Sequence, residues 1–231
     1  MTGTIAVTPS SARALRAQHG EVRVFRRSLL LVLTALCCAP AAAPTQSTTR
    51  DSVAYILSPT SRFEVKTGKA GLLGFAGHEH VIRARVFSGR VVYCPGAPAA
   101  SRVAIAVITD SLEVLTPPDT AEIRKVTEAM RTEVLDVGHH QEISFVSKSM
   151  TPTQGGFSIV GELTMAGRAR EVSVDVTVEL GRDTLRAAAA FAVNQTDFGI
   201  KPYRGGPAGT VRVADQVTFE IEAVAIREEP Q

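Results

Sequence analysis

One short stretch carries the residue types of a reaction centre. Gly77 to Val81 reads GHEHV, two histidines around a glutamate, at the end of the run TGKAGLLGFAGHEHVI. Side chains two apart in an extended strand lie on one side, so His78 and His80 could begin a metal site while Glu79 points away. A structural zinc needs about four ligands and a catalytic one about three. His139 and His140 complete such a set only if the fold brings their loop to this corner. Contact of His78 and His80 with the polar head of a ligand is a second reading. A structural corner, with side chains bonded to backbone, is a third. The preceding glycines, 68, 71, 74 and 77, recur at every third position. No Lys-Ser/Thr follows them, so they form no phosphate loop. They fit a loop or bulged strand, or a lid in which Leu72, Leu73 and Phe75 touch an apolar molecule. No nucleophile elbow or carboxylate cluster occurs elsewhere, so no enzyme, cofactor or resident metal is expected.

The ends of the chain set the context. Arg23, Arg26 and Arg27 precede the apolar run SLLLVLTALCC (Ser28 to Cys38), and APAAA follows it. A basic stretch, a short apolar run and small residues make residues 1–43 an export signal, too short to span a bilayer. Residues 44–54 read as a polar, disordered tail and 55–231 as one domain. A periplasmic or secreted protein is expected, with a lipid-anchored form through Cys37 or Cys38 as a variant. Beyond the signal only Cys94 remains, so no internal disulfide can form and the fold must rest on its core. Of 25 basic and 23 acidic residues, five basic ones (Arg13, Arg16, Arg23, Arg26, Arg27) and one acidic (Glu21) lie in the signal. The remainder is mildly acidic and carries no basic stripe, which argues against nucleic acid as a partner.

The elements that would position these residues are mostly strands. EVSVDVTVEL (Glu171 to Leu180) alternates throughout, with Val172, Val174, Val176, Val178 and Leu180 on one side. VTFEIEA does the same with Val217, Phe219, Ile221 and Ala223. SRFEVKT, VFSGRVVY, RVAIAVITDSL, EISFVSKS and FSIVGELTM supply further strands. TLRAAAAFAVNQT is rich in alanine, a helix former, but its place between two strands argues for a strand. Only PPDTAEIRKVTEAMRTEVLD breaks the period: Ile123, Val126, Met130 and Val134 recur every three or four residues. That spacing predicts one helix, capped by Asp119 with Glu122 reaching back. About eight antiparallel strands and one helix cannot cover an open sheet, whereas closing the sheet on itself removes both edges and buries one face.

The segments YILSPTSRFEVKTGKAG, VFSGRVVY, ITDSLEV, EVLDVGHHQEISFVSKSM, GELTMAGRAREVSVDV and TDFGI, in this order, resemble the YceI-like family of exported, lipocalin-like polyisoprenoid-binding proteins. The resemblance runs from about Tyr55 to Ile226. It departs from the family at His140 and Gln141, where a proline usually stands before the strand, and at Ala166, where many members have histidine. The resemblance implies an all-β, eight-stranded antiparallel barrel with one α-helix alongside. It also implies an isoprenoid or other long-chain lipid as partner, held in an apolar tunnel. Burying methylenes contributes about 0.8 kcal/mol each, so one isoprene unit gives roughly 3–4 kcal/mol gross. Phe63, Leu73, Phe75, Phe87, Phe145, Leu163, Val174, Phe198 and Phe219 are the expected cavity residues, with His78 and His80 at the mouth. A metal-dependent envelope enzyme or sensor using His78 and His80, and a ligand-free structural module, are the rival readings. Contact with a membrane surface and a homodimer are both left open.

Overall fold

The computed structural model describes residues 52–70, 79–115, 120–205 and 211–229. Residues 1–43 and the sites expected at Leu73, Phe75, His78 and Asp119 lie outside the described residues. The strands are β1 (Val53–Leu57), β2 (Arg62–Ala70), β3 (His80–Ala84), β4 (Phe87–Tyr93), β5 (Arg102–Ile108) and β6 (Leu112–Val114). Helix α1 (Thr120–Ala129) follows. Then come β7 (Glu142–Thr153), β8 (Gly156–Met165), β9 (Arg168–Leu180), β10 (Thr184–Asn194), β11 (Arg204–Gly205) and β12 (Val211–Arg227). β1 begins at Val53, inside the stretch expected as tail, because Tyr55 to Leu57 pair with Ala225 to Arg227.

The first six strands are three long ones, each bent once. β1 and β2 lie end to end along β12, through Leu57↔Ala225 and then Arg62↔Glu222. β4 and β3 pair with β1 and β2 respectively, and β5 and β6 with β4 and β3. Counted this way, eight antiparallel strands follow one another up and down. The ring closes where β1 meets β12. The all-β barrel with one helix expected from the sequence is the fold observed.

A bend interrupts the ladder, and its freed backbone groups need other partners. Serines and a threonine supply them. Ser61 Oγ donates to Val224 O at 2.9 Å and accepts from Val224 N–H at 3.0 Å. Ser111 Oγ accepts from Val86 N–H at 2.9 Å and donates to Ile108 O at 2.7 Å. Buried Thr109 donates to His140 O at 2.6 Å, tying the bend to the loop before β7.

Period-two alternation sets which residues face inward. Along β8, Phe157, Ile159, Gly161, Leu163 and Met165 are buried, and the residues between them are partly exposed. On β9 Glu171, Ser173, Asp175, Thr177 and Glu179 face outward, and on β12 Thr218, Glu220 and Glu222 do; Lys66 of β2 meets Glu220 at 2.7 Å. Leu180, placed with the inward valines by its parity, is 47% exposed because it ends its strand.

α1 runs into a π-helical turn, Met130–Val134, in which Leu135 N–H donates to Met130 O at 2.9 Å. Asp136 then takes a left-handed conformation, φ 47°, which aspartate tolerates better than most residues. Ile123, Val126 and Leu135 pack with buried Met130 onto the Phe63, Leu112 and Val114 cluster. The helix's apolar stripe therefore covers the interior at the end of the barrel where β7 begins.

Candidate functional site

The barrel interior holds two adjoining chambers. The lower has a volume of about 170 Å3 and the upper about 350 Å3. Val65, Ile82, Leu112, Ile143 and Phe219 line both, forming a neck between them. The upper chamber alone reaches the low end of the range for ligand pockets, about 300–1,000 Å3. The lower one slightly exceeds an apolar cavity of about 150 Å3 that stays dry and admits benzene.

Small inward side chains open the lower chamber. On β10 the inward positions include Ala187 and Ala189, and on β12 Ala223. The alanine run that looks helical by propensity is thus a strand that leaves room beside it. Gly161 of β8 also faces inward, and a side chain there would collide with the ring of Phe145. The absence of a Cβ lets that ring lie flat against the wall. Leu163, Val174, Val176 and Val178 continue the apolar surface. Ser101, Ser144 and Glu64 are among its few polar neighbours. Glu64 accepts from Arg83 Nε at 2.8 Å, and Ser101 Oγ accepts from Cys94 N–H at 3.1 Å, so both already have protein partners. Tyr93 and Phe157 meet edge to face at 6.4 Å at the far end. Nothing there rewards a polar ligand group for leaving water.

The upper chamber is different. Thr67, His80, Lys125, Gln195, Tyr203 and Arg212 share its lining with Val126, Met130, Met165 and Ile200. His80 is buried, and its backbone N–H donates to Thr67 Oγ1 at 3.3 Å. Buried Gln195 donates through Nε2 to Ala214 O at 2.8 Å. The roof comes from α1 and its π turn.

Of the expected cavity residues, Phe63, Phe145, Leu163, Val174 and Phe219 line the lower chamber, and Phe219 also the upper. Phe87 and Phe198 lie elsewhere in the core. Phe87 packs on Phe63, ring centroids 4.8 Å apart, and Phe198 is 1% exposed beside Leu163, Met165 and Ile200. The reason is local. Phe87 keeps the inward side of its strand with Val91 and Tyr93 but packs on Phe63, whereas Phe198 belongs to the 3-10 turn Gln195–Phe198, where strand parity does not apply. His80, expected at the mouth, is among the lining residues of the upper chamber.

His139 and His140 have other occupations. His139 Nδ1 lies 2.9 Å from Asp136 Oδ1 on the exposed loop after the helix. That hydrogen bond, and then the carboxylate's charge, raises the imidazole pKa above its ordinary value. The ring of His140 packs over Gly167 in the β8–β9 turn. Ala166 and Gly167 there have φ of 46° and 70°, the pair of positive values that a tight primed hairpin turn requires. Among the described residues no three His, Cys, Asp or Glu side chains gather as a metal set.

Sequence reading did not single out Thr67, Lys125, Gln195, Tyr203 or Arg212, nor the inward alanines of β10. Parity along TLRAAAAFAVN was the available signal for the alanines. The polar residues come from elements far apart in sequence, and only barrel closure brings them to one end.

The model of the YceI-like domain matches residues 55–225. Among solved structures, BcnA of Burkholderia cenocepacia is 19% identical, covering 70% of this chain and 95% of its own, with a TM-score of 0.56. A polyisoprenoid-binding domain from Saccharophagus degradans, implicated in plant cell wall breakdown, is 11% identical, with coverages of 76% and 99% and a TM-score of 0.54. A mutant YCEI protein of Campylobacter jejuni is 12% identical, with coverages of 64% and 85% and a TM-score of 0.51. At such identities the likeness is one of fold. No curated protein matches the sequence.

Proposed function

This chain belongs to the YceI-like domain family, and on that premise we propose that it is an exported binding protein that takes an isoprenoid or other lipid-like tail into its barrel. The observation that carries the reading is the apolar lower chamber, walled by small and aliphatic side chains and sharing five wall residues with a larger chamber above. A core without a ligand gains by filling such space, because an unfilled wall forfeits dispersion contacts. Here Ala187, Ala189 and Gly161 keep it open. The polyisoprenoid-binding domain among the structural relatives supports an isoprenoid as the tail.

The mechanism needs no bond-making step. The tail enters through the upper chamber, passes the neck and exchanges water for apolar wall. A few isoprene units, at roughly 3–4 kcal/mol each, suffice to overcome the cost of association. The protein acts as a carrier or store rather than an enzyme. Export rests on the basic and apolar segments before residue 44. The mature protein is accordingly periplasmic or secreted, or lipid-anchored through Cys37 or Cys38.

The test uses protein purified from its native host. Native mass spectrometry is expected to show a bound species, and solvent extraction to release a lipid. A neutral apolar fluorophore is expected to bind the stripped protein. Recovery of no lipid together with no fluorophore binding overturns the reading.

A further inference from the structure

The upper chamber has a charge pattern that neither the family match nor a neutral tail requires. Among the described residues its lining contains two cations, Lys125 from α1 and Arg212 from β12, and no aspartate or glutamate. Among the described residues neither cation is in an ion pair. The nearby acids of β12 are occupied elsewhere. Asp215 accepts from Thr196 N–H at 2.9 Å and from its hydroxyl at 2.6 Å, and Glu220 is paired with Lys66 at 2.7 Å.

A second observation is independent of the chamber's lining. Arg204 stands directly opposite Arg212 in the β11–β12 pair. Directly opposed residues of an antiparallel pair share a face, and like charges there repel. β11 is only two residues long, and this short pairing puts Arg204 on the same face of the ladder as Arg212, which itself lines the chamber. An anion between them converts the repulsion into two charge-assisted contacts.

The lower chamber fixes the direction of the ligand. A charge placed among Leu163, Val174 and Ala189 loses its hydration and gains nothing. An amphiphile therefore enters tail first and leaves its head beneath α1. We propose that this head is an anion, a carboxylate or a phosphate, received by Lys125 and Arg212 with Arg204 reinforcing the field, so that the ligand is an acidic single-tailed amphiphile. The inference rests on the tail-binding reading above and adds the class of head group.

The test compares ligands that share one tail. Dodecanoate, dodecyl phosphate, dodecanol and dodecyltrimethylammonium compete with a neutral fluorophore, each below its micelle-forming concentration. The two acidic ligands are expected to bind at least about tenfold more tightly than dodecanol, with the cationic ligand weakest. The advantage shrinks as salt rises, because the rim is exposed. Lys125→Gln/Arg212→Gln is expected to bring the acid-to-alcohol ratio to about one, and Arg204→Gln to reduce it partly. All three positions are exposed, and thermal melts check that the variants fold. Equal binding of acid and alcohol by the unaltered protein overturns the inference. A preference that survives in the double variant does so too. Inorganic phosphate or acetate competing as well as dodecanoate marks a free-anion site and also overturns it. Failure of all four amphiphiles to bind overturns the tail-binding reading itself, an outcome distinct from loss of the head preference alone.

Discussion

The lower chamber takes its walls from Ala187, Ala189, Leu163 and Val174, and its polar neighbours Glu64 and Ser101 already have protein partners. The upper chamber, one neck away, takes Thr67, His80, Lys125, Gln195 and Arg212 from five different elements. The lower is built by regular strands, whose alternation repeats an apolar residue at every second position. The upper is built where regularity fails, with a helix, a 3-10 turn and strand ends contributing to its lining. Regular sheet supplies a uniform surface suited to a uniform tail. Irregular chain ends supply distinct groups suited to recognition.

The largest test of this contrast is to fill the lower chamber. Ala189→Phe places a ring in the space, and neutral probe binding is expected to fall about a hundredfold or more, the equivalent of losing three or four buried methylenes. Ala190→Phe, one residue along and facing outward, is expected to leave binding unchanged in the same fluorescence titration. Equal effects from the two would mean that the probe binds elsewhere.

Packing density gives the next test. Phe198 is 1% exposed in solid core, so Phe198→Ala is expected to cost about 3–5 kcal/mol in urea unfolding. Phe191 lines the lower chamber and stacks on Phe219 at 4.9 Å, with void already on one side. Phe191→Ala is expected to cost less, below about 3 kcal/mol. A reversed order would show that the chamber wall is packed as tightly as the core. Gly161→Ala pushes on the Phe145 ring and is expected to cost about 1–3 kcal/mol while weakening probe binding. Unchanged stability and binding would remove Gly161 from the account of how the space is kept open.

The smallest effect concerns the corner after the helix. Asp136 raises the pKa of His139, so the folded state holds the proton more tightly than the unfolded chain. The pair's contribution is fully present below the unfolded value, about 6.5, and is lost as pH rises through the raised folded value. His139→Gln is therefore expected to unfold earlier than the unaltered protein in acid and together with it in alkali, with probe binding unaffected. A stability difference that grows with pH would contradict the assignment.

Much of the barrel was legible in residues 142–227. β9 and β12 declare themselves by alternation, and helix α1 by Ile123, Val126 and Met130. The inward sides of Leu163, Val174 and Phe219 followed from parity, because side chains in a strand must alternate. The bends at Ser58–Ser61, Arg85–Val86 and Thr109–Ser111 were not legible. The last divides RVAIAVITDSL, which the sequence presents as one strand, and the bends use hydroxyls whose partners are distant in sequence, such as Ser61 on Val224 and Thr109 on His140. Phe198 left the expected cavity because a 3-10 turn breaks the count of two, while Phe87 kept its inward side and packs on Phe63.

GHEHV shows the same division. Spacing along the chain established only that two imidazoles could share a side. Barrel closure placed His80 in the lining of the upper chamber, and the β8–β9 turn and Asp136 engaged His140 and His139 separately. The sequence alone determined the class of fold, the period of its strands and the apolar character of one face, since these are properties of neighbours along the chain. Tertiary structure alone decided that alanines would open a chamber, and that Lys125 and Arg212 would share the lining of the one above it, with Arg204 opposite Arg212. Those are properties of register between strands and of barrel closure, which bring together residues that local patterning cannot connect.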